Sequence, residues 1–168
     1  MHGEIVEKAS PSMEHSATQF ALAGWLQRRF GRGSGGSWPG GWWSGTEVHV
    51  EYETHELFCH DAVGWRRERA PIRPAGWPVR LRPDWVAEIL SPSKERRDVV
   101  EKFRVLQRAG VPHYWLVAPE EKTLVVHRLD ASGYLVVLTA GAGEAVRAEP
   151  FEHIELRLDV LFGDADDD

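Results

Sequence analysis

The chain has 168 residues, of which 42% are apolar, and a formal net charge of −6. This length and composition favour one folded domain with a core and argue against disorder. No apolar run approaches the roughly 18 residues of a membrane span, and the first residues lack the basic and apolar regions of a secretion signal. Cys59 is the only cysteine, which excludes an internal disulfide and a multi-cysteine zinc site and favours a reducing cytoplasm.

The positive charge is concentrated in one part of the chain. Residues 66–108 contain 12 of the 20 lysines and arginines but six of the 26 acids, so this segment carries +6 and the remainder −12. A basic segment on an acidic body is able to form a local phosphate-binding face. A solvated loop and helix surface explains the same charges equally well, so charge alone leaves both interpretations open.

The N-terminal half predicts a helix followed by a hairpin. Apolar residues recur at helical spacing over 17–30, with Ser12 before them and Gly31 after them. The glycine-rich segment 31–45 predicts a loop whose tryptophans either cover the core, which is the favoured interpretation, or stack on a ligand. The remaining pattern predicts two antiparallel strands at 48–52 and 57–65, joined by a turn at 54–56. A basic, proline-containing loop is predicted at 66–82.

The C-terminal half predicts a buried strand, a helix and further strands. Residues 85–90 are apolar and bounded by prolines, as expected of a central strand. Ser93 is the expected cap of a helix that ends at Gly110. Further strands are predicted at 111–117, 123–129 and 134–139, the last two as a hairpin. The pattern as a whole predicts one mixed α/β domain over 1–163, followed by an acidic tail at 164–168.

A carboxylate on the predicted central strand is the first candidate site residue. Glu88 shares a sheet face with Val86 and Leu90, where an ionised side chain is unfavourable unless a cation or hydrogen bonds compensate it. A functional carboxylate and a structural carboxylate paired with a nearby arginine are equally consistent with this position.

Asp61 repeats this pattern on the preceding strand, where it is predicted to share a face with Cys59 and Val63. If the two strands are neighbours, the carboxylates of Asp61 and Glu88 are expected within about 5 Å of each other. Two carboxylates so close repel each other and favour a shared divalent cation. Asp84 lies roughly 13 Å from Glu88 along the strand, so its expected role is at the beginning of the strand.

Lys102 is the candidate cation of this site. It lies on the helix predicted after the central strand, from which its ammonium group is able to reach toward the sheet. There it would orient an attacking water or stabilise charge on a phosphate. A surface ion pair with Asp98 at i,i+4 is the simpler alternative, and it is favoured when these two residues are considered alone.

Three runs of residues, taken in order, resemble a known family. They are 60–69 (HDAVGWRRER), 82–93 (RPDWVAEILSPS) followed by Arg97-Asp98 and Lys102, and 109–117 (AGVPHYWLV). In this order they resemble the Uma-two-type restriction endonuclease family of the PD-(D/E)XK nuclease superfamily, and the resemblance covers almost the whole chain. It implies a restriction-endonuclease-like core, with a mixed α/β sheet, flanking helices and extra β-hairpins.

The resemblance also implies a metal-dependent phosphodiesterase with Mg²⁺ or Mn²⁺ as its cofactor. Asp61 and Glu88 match the two acids of the family. The lysine of the superfamily motif would fall at position 90, which is Leu90 here, and Lys102 matches the lysine that this family supplies from the following helix. Glu47 is similar to an acidic position before the first family strand and is expected to be an accessory metal ligand.

These features together predict an endonuclease that hydrolyses phosphodiester bonds in nucleic acid, with DNA as the expected substrate. The arginines expected to bind the nucleic-acid backbone are Arg66, Arg67, Arg69 and Arg97. The alternative is a catalytically inactive domain of the same fold that acts in binding or assembly, and a third hypothesis is an enzyme on small phosphorylated or nucleotide substrates. By analogy with this fold a homodimer is a further expectation, and no membrane association is expected.

Overall fold

The computed structural model describes residues 11–53, 55–91 and 96–168, and within them the chain forms three helices and eight strands. In chain order these are α1 (Met13–Phe30), β1 (Trp42–Tyr52), β2 (Glu56–Arg66), β3 (Trp85–Ile89), α2 (Arg96–Ala109), β4 (His113–Ala118), β5 (Thr123–Asp130), β6 (Gly133–Gly141), β7 (Ala145–Val146), β8 (Leu156–Arg157) and α3 (Leu158–Leu161). Ser93, the predicted helix cap, lies outside the described residues.

Six of these strands form one mixed sheet in the order β1-β2-β3-β4-β5-β6, and β7 and β8 form a small second sheet. Neighbours in the large sheet run antiparallel except β3 and β4, which are parallel. Parallel neighbours need a crossover connection, and α2 provides it between these two strands. Every residue of β3 is buried, so the mixed sheet and its central apolar strand are confirmed.

Helix α1 covers one face of the sheet. Its N-cap is Ser12, whose Oγ accepts a hydrogen bond from the backbone N–H of His15 at 3.1 Å. This bond satisfies one of the amides that a helix N-terminus leaves without an intrahelical partner. The buried side chain of Trp25 packs in an apolar cluster with Trp85 of β3 and Phe151. The helix predicted from apolar spacing is therefore present, and the large apolar residues of that predicted spacing are buried.

Strand β1 is longer than the sequence predicts, and the loop before it is correspondingly shorter. It begins at Trp42 rather than at residue 48, because the segment rich in glycine and tryptophan pairs with β2 from the Trp42↔Arg66 position onward. Trp42 is 3% exposed and packs against Phe151, with ring centroids 4.8 Å apart. Burial of this aromatic surface outweighs the low strand propensity of the glycines, and the core-cover interpretation is confirmed for this tryptophan.

Helix α2 covers the other face of the sheet. Leu106 is fully buried in an apolar cluster with Val86 of β3 and Tyr114 of β4. The ring of Phe103 packs edge-to-face on Tyr114, with centroids 4.9 Å apart. Helix α2 is thus attached to the sheet along one apolar side. Separately, no helix in the described part of the chain is long and apolar enough to cross a membrane.

The buried hydroxyl of Tyr114 has no hydrogen-bond partner among the described residues. Replacing Tyr114 by phenylalanine is therefore expected to raise the free energy of unfolding by about 1 kcal/mol, the lower end of the cost of an unsatisfied buried polar group. The corresponding rise in Tm is about 2–4 °C for a chain of this size. Tyr134→Phe is the matched control and should lower the Tm, since that hydroxyl donates to the Val111 carbonyl at 2.7 Å. Equal decreases in Tm for the two variants would contradict the prediction.

The acidic residues at the C-terminal end contact the body of the domain. Asp167 forms an ion pair with Arg29 of α1 at 2.5 Å, and the hydrogen bond from Arg29 lowers the pKa of the Asp167 carboxyl. Asp164 pairs with Lys122, in the turn before β5, at 2.6 Å. The segment that the sequence predicts as an acidic tail is thus attached to α1 and to the turn between β4 and β5.

Candidate active site

Strands β2 and β3 stop pairing beside Asp61. Their ladder ends at the Ala62↔Ala87 pair, and Asp61 is the next residue of β2 in that direction. The Oδ2 of Asp61 accepts a hydrogen bond from the backbone N–H of Ile89 at 2.7 Å. A side-chain carboxylate therefore replaces a main-chain acceptor at the end of the ladder, and this bond fixes Asp61 next to the residue that follows Glu88.

The alternation of side chains along β2 is broken at Asp61. Phe58 and Val63 both pack in the cluster beneath α2, although regular alternation would place residues five positions apart on opposite faces. The pairing of β1 with β2 omits Glu47 and Asp61 at the same point, and Glu47 has a positive φ of 53°. The predicted common face of Cys59, Asp61 and Val63 is therefore wrong, because this paired irregularity reverses the faces of both strands.

Glu88 lies on the α2 side of the sheet and is 1% exposed. Its Oε1 is 2.7 Å from the Nδ1 of His60 and 3.3 Å from the Nζ of Lys102. Lys102 reaches the sheet from α2, and its ammonium group also lies 5.7 Å from the centroid of the Phe58 ring. A cation and an imidazole thus compensate the buried carboxylate, as its removal from water requires.

His60 is fully buried between Glu88 and Tyr52. The hydroxyl of Tyr52 is 2.7 Å from the Nε2 of the imidazole. Burial lowers the pKa of His60, while its hydrogen bond with Glu88 opposes that shift. Burial, and next the charge of Glu88, raises the pKa of Tyr52 well above its usual value. Tyr52, His60 and Glu88 therefore form a continuous buried polar chain that ends at Lys102.

Helix α1 places two polar side chains on the other side of Asp61. His15 is 5% exposed, and its Nε2 lies 3.4 Å from the Oδ1 of Asp61. The side-chain amide of Gln19 donates to the main-chain carbonyl of Asp61 and to the Oε1 of Glu47, both at 2.8 Å. Glu47 is exposed and also accepts a hydrogen bond from the Cys59 thiol at 3.3 Å. Gln19 thus links Glu47 to the backbone of Asp61.

The donor groups at this site suit a hard divalent cation. Mg²⁺ prefers oxygen ligands and is usually held by one or two protein carboxylates together with water and substrate phosphate. Asp61 and Glu88 provide two carboxylates at the point where β2 and β3 separate. Within the described ranges, no group of three or more His, Cys, Asp and Glu side chains is arranged to hold a metal. These residues therefore fit a cation shared with water and substrate, and they do not fit a closed site of the structural zinc type.

Two of the predicted phosphate-binding arginines hold the loop after β2 against the domain. Arg67 donates to the carbonyls of Trp42 and Gly31 at 3.2 and 2.7 Å. The guanidinium of Arg69 donates to the Oδ1 of Asp84 at 2.9 Å, which places Asp84 at the beginning of β3 as a structural anchor. Much of the hydrogen-bonding capacity of these two guanidinium groups is thus used within the protein.

The other two predicted arginines have different surroundings. Arg66 is half-buried, and its guanidinium lies over the ring of Trp42, 4.7 Å from the centroid. Arg97 belongs to the first turn of α2, and its side chain lies outside the described residues. Among Arg66, Arg67 and Arg69, whose side chains are described, Arg66 is the one whose guanidinium contacts an aromatic ring and makes no described hydrogen bond.

The sequence patterns did not identify His15, Gln19, Tyr52 and His60 as neighbours of the acids. A lone histidine on a helix usually has a packing role, and nothing in the spacing of α1 indicates that His15 would face Asp61. His60 could have been identified from the sequence, because it directly precedes the candidate Asp61 on a predicted strand. Tyr52 and Gln19 become neighbours of the site only through strand pairing and helix packing.

Comparisons with known proteins agree with this fold. The structure is similar to the crystal structure of a protein from Anabaena variabilis described as a "putative nuclease belonging to DUF820", with a TM-score of 0.71 and 21% identity over 97% of this chain and 88% of that chain. No curated protein matches the chain. The family model Uma2, described as "Putative restriction endonuclease", matches residues 1–161. The chain therefore belongs to the Uma2 family.

Proposed function

We propose that this protein is a metal-dependent endonuclease that hydrolyses phosphodiester bonds in DNA, with Mg²⁺ or Mn²⁺ as its cofactor. The observation that carries the proposal is the position of Glu88, a carboxylate buried on the central strand, 3.3 Å from Lys102 and beside Asp61 where two strands separate. A second buried carboxylate, Asp61, accepts the backbone N–H of Ile89, the residue after Glu88, and two buried carboxylates are more than a purely structural ion pair needs. Membership of a family described as "Putative restriction endonuclease" supports the same reaction.

Asp61 and Glu88 are the residues that would hold the cation. When bound, Mg²⁺ supplies an activated water and offsets the negative charge of the phosphate. The Nζ of Lys102 lies 3.3 Å from Glu88, where it would orient the attacking water or stabilise charge that develops on the phosphate. The backbone N–H of Ile89 sets the orientation of Asp61 before substrate binds, which reduces the entropy lost in reaching a reactive geometry.

Glu47 is proposed to act at this site, and the arginines to bind the substrate farther away, since Arg66 lies at the end of β2 where its backbone N–H donates to Asp84. The carboxylate of Glu47 is exposed and held by Gln19, so it would serve as an accessory metal ligand. Arg66 and Arg97 would bind the phosphate backbone of the substrate, a contact that gives affinity without sequence preference. Arg67 and Arg69 would support that contact chiefly by fixing the loop.

Thermal denaturation in the presence of MnCl₂ tests the role of Asp61. The wild type is expected to show a rise in Tm with Mn²⁺, since a ligand that binds only the folded state stabilises it. Asp61→Asn should lose this rise, because asparagine has no negative charge with which to hold the cation. The asparagine oxygen is still able to accept the Ile89 N–H, so the local structure should remain. Plasmid DNA cleavage should require Mg²⁺ or Mn²⁺, stop with a chelator and be lost in the same variant.

Asp84→Asn is the matched control for this experiment. It removes the charge of another buried aspartate, one that binds Arg69 and the backbone of Arg66 rather than the proposed cation. Its Tm without metal should fall, but the rise with Mn²⁺ should remain. Metal-dependent cleavage that persists in purified Asp61→Asn would show that Asp61 does not hold the cation.

The alternative function is a catalytically inactive domain that acts in binding or assembly. In its favour, His60 and Lys102 already compensate the buried charge of Glu88 without a bound metal. A wild-type Tm unaffected by Mn²⁺, together with no cleavage of DNA or RNA, would support this alternative. Turnover of nucleotides or other small phosphorylated substrates without DNA cleavage would instead support a small-molecule enzyme.

A further inference from the structure

A buried hydrogen-bonded chain extends from the proposed metal ligand Glu88 into the core. His60 Nδ1 is 2.7 Å from Glu88 Oε1, and its Nε2 is 2.7 Å from the Tyr52 hydroxyl. The three side chains are 1%, 0% and 3% exposed, in the order Glu88, His60 and Tyr52. Two hydrogen bonds of this length inside a core are stronger than the same bonds in water, and each partner strengthens the next.

The chain has one consistent arrangement of protons. An ionised Glu88 has only acceptors, so the hydrogen between it and His60 must be carried by Nδ1. A neutral imidazole with its hydrogen on Nδ1 has an acceptor at Nε2. The hydroxyl of Tyr52 must therefore donate to Nε2. The hydrogen bond at one ring nitrogen of a histidine fixes the tautomer at the other. By donating to Nε2, the Tyr52 hydroxyl therefore favours the His60 tautomer whose Nδ1–H faces Glu88.

Glu88 Oε1 is held from two directions. His60 contacts it along the sheet at 2.7 Å, and Lys102 approaches it from α2 at 3.3 Å. Two donors on one oxygen restrict rotation of the carboxylate plane more than either donor would alone. The irregularity in β2 is what makes this possible, because it places His60 on the face that carries Glu88.

We propose that His60 and Tyr52 are positioning residues that hold Glu88 in the orientation in which it binds the divalent cation. This inference rests on the proposed function, since it assigns a role to residues behind one of its metal ligands. Hydrogen-bond partners that orient a metal ligand are typically worth about 10–100-fold in metal affinity. An effect of that size on cation binding distinguishes positioning from ordinary filling of the core.

Titration calorimetry with MnCl₂ on the purified full chain tests the proposal without requiring turnover. His60→Leu is expected to weaken Mn²⁺ binding by about 10–100-fold, and Tyr52→Phe by about 10-fold. His60→Asn should recover much of the loss, because an asparagine amide is able to donate from near the position of Nδ1. Tyr134→Phe is the control in the same cluster, since its hydroxyl binds the Val111 carbonyl, and it should bind Mn²⁺ as the wild type does.

The possible results separate this inference from the proposed function. If both His60→Leu and Tyr52→Phe bind Mn²⁺ with wild-type affinity, the positioning role is overturned and the proposed function stands. If His60→Leu does not fold, the Mn²⁺ affinity of Tyr52→Phe decides the test. A wild-type protein that does not bind Mn²⁺ overturns the proposed function and this inference with it.

Long-range ¹H–¹⁵N NMR of the histidine rings gives a second readout that needs no metal. Wild-type His60 should carry its hydrogen on Nδ1, and a hydrogen on Nε2 alone would overturn the proposal.

Discussion

Replacing Glu88 by glutamine is expected to reduce metal-dependent DNA cleavage by more than about 100-fold, beyond the loss typical of residues that only orient a metal ligand. Glutamine has nearly the same shape and keeps an oxygen that accepts the hydrogen bond from His60, but it has no charge with which to hold a divalent cation. The change also removes the counter-charge of Lys102. The loss should appear in the cleavage rate of plasmid DNA at saturating Mg²⁺.

Glu120→Gln is the matched control for this variant. It removes the same charge from an exposed glutamate in the turn after β4, far along the chain from the proposed ligands. This control is expected to cleave at the wild-type rate, and circular dichroism should show the same secondary structure in both variants. If purified Glu88→Gln cleaves as fast as Glu120→Gln, Glu88 does not have the proposed role.

Truncating Phe151 to alanine is expected to lower the free energy of unfolding by about 3–5 kcal/mol, as is typical of a large aromatic residue in a core. Its ring centroid lies 4.8 Å from those of Phe30 and Trp42 and 5.1 Å from that of Trp85. Phe151 therefore joins α1 to β1 and β3. Because domains of this kind are stable by about 5–15 kcal/mol, the change would remove a large fraction of the total. Urea denaturation measures the difference.

Phe20→Ala is the control for the loss of Phe151. The side chain of Phe20 is 84% exposed on α1, so its removal should change the free energy of unfolding by no more than about 0.5 kcal/mol. Phe151→Leu should recover part of the lost stability, because leucine refills some of the cavity. Equal stability of Phe151→Ala and Phe20→Ala would show that the cluster around Phe151 does not hold α1 on the sheet.

Local sequence patterns predicted most of the fold correctly. The apolar run bounded by prolines became the buried strand β3, and the helical spacing before Gly31 became α1. The pattern failed at β1, where glycines next to Trp42 resemble a loop, because strand pairing and aromatic burial there depend on residues far along the chain. Local propensity is a weak guide where distant contacts decide the conformation.

The site residues that the sequence could predict are those whose charge is unexpected in an apolar segment. A carboxylate at position 88 of an apolar strand is anomalous in any fold, and the resemblance to the family connected it with Lys102. The structure places these two side chains 3.3 Å apart, while their catalytic roles stay predictions. The neighbours of Asp61 on α1 carried no comparable signal, because a histidine and a glutamine on an amphipathic helix are ordinary residues.

The sequence by itself determined the mixed α/β class, the central strand that carries Glu88 and the helix that carries Lys102, because periodicity and turn residues act over short distances. Only the tertiary structure decided that His60 faces Glu88 and that Asp61 accepts the Ile89 N–H. The reason is the irregularity shared by β1 and β2, which reverses the faces of both strands at Glu47 and Asp61. Such an irregularity is a property of two strands paired together, and the sequence of either strand alone does not show where it lies.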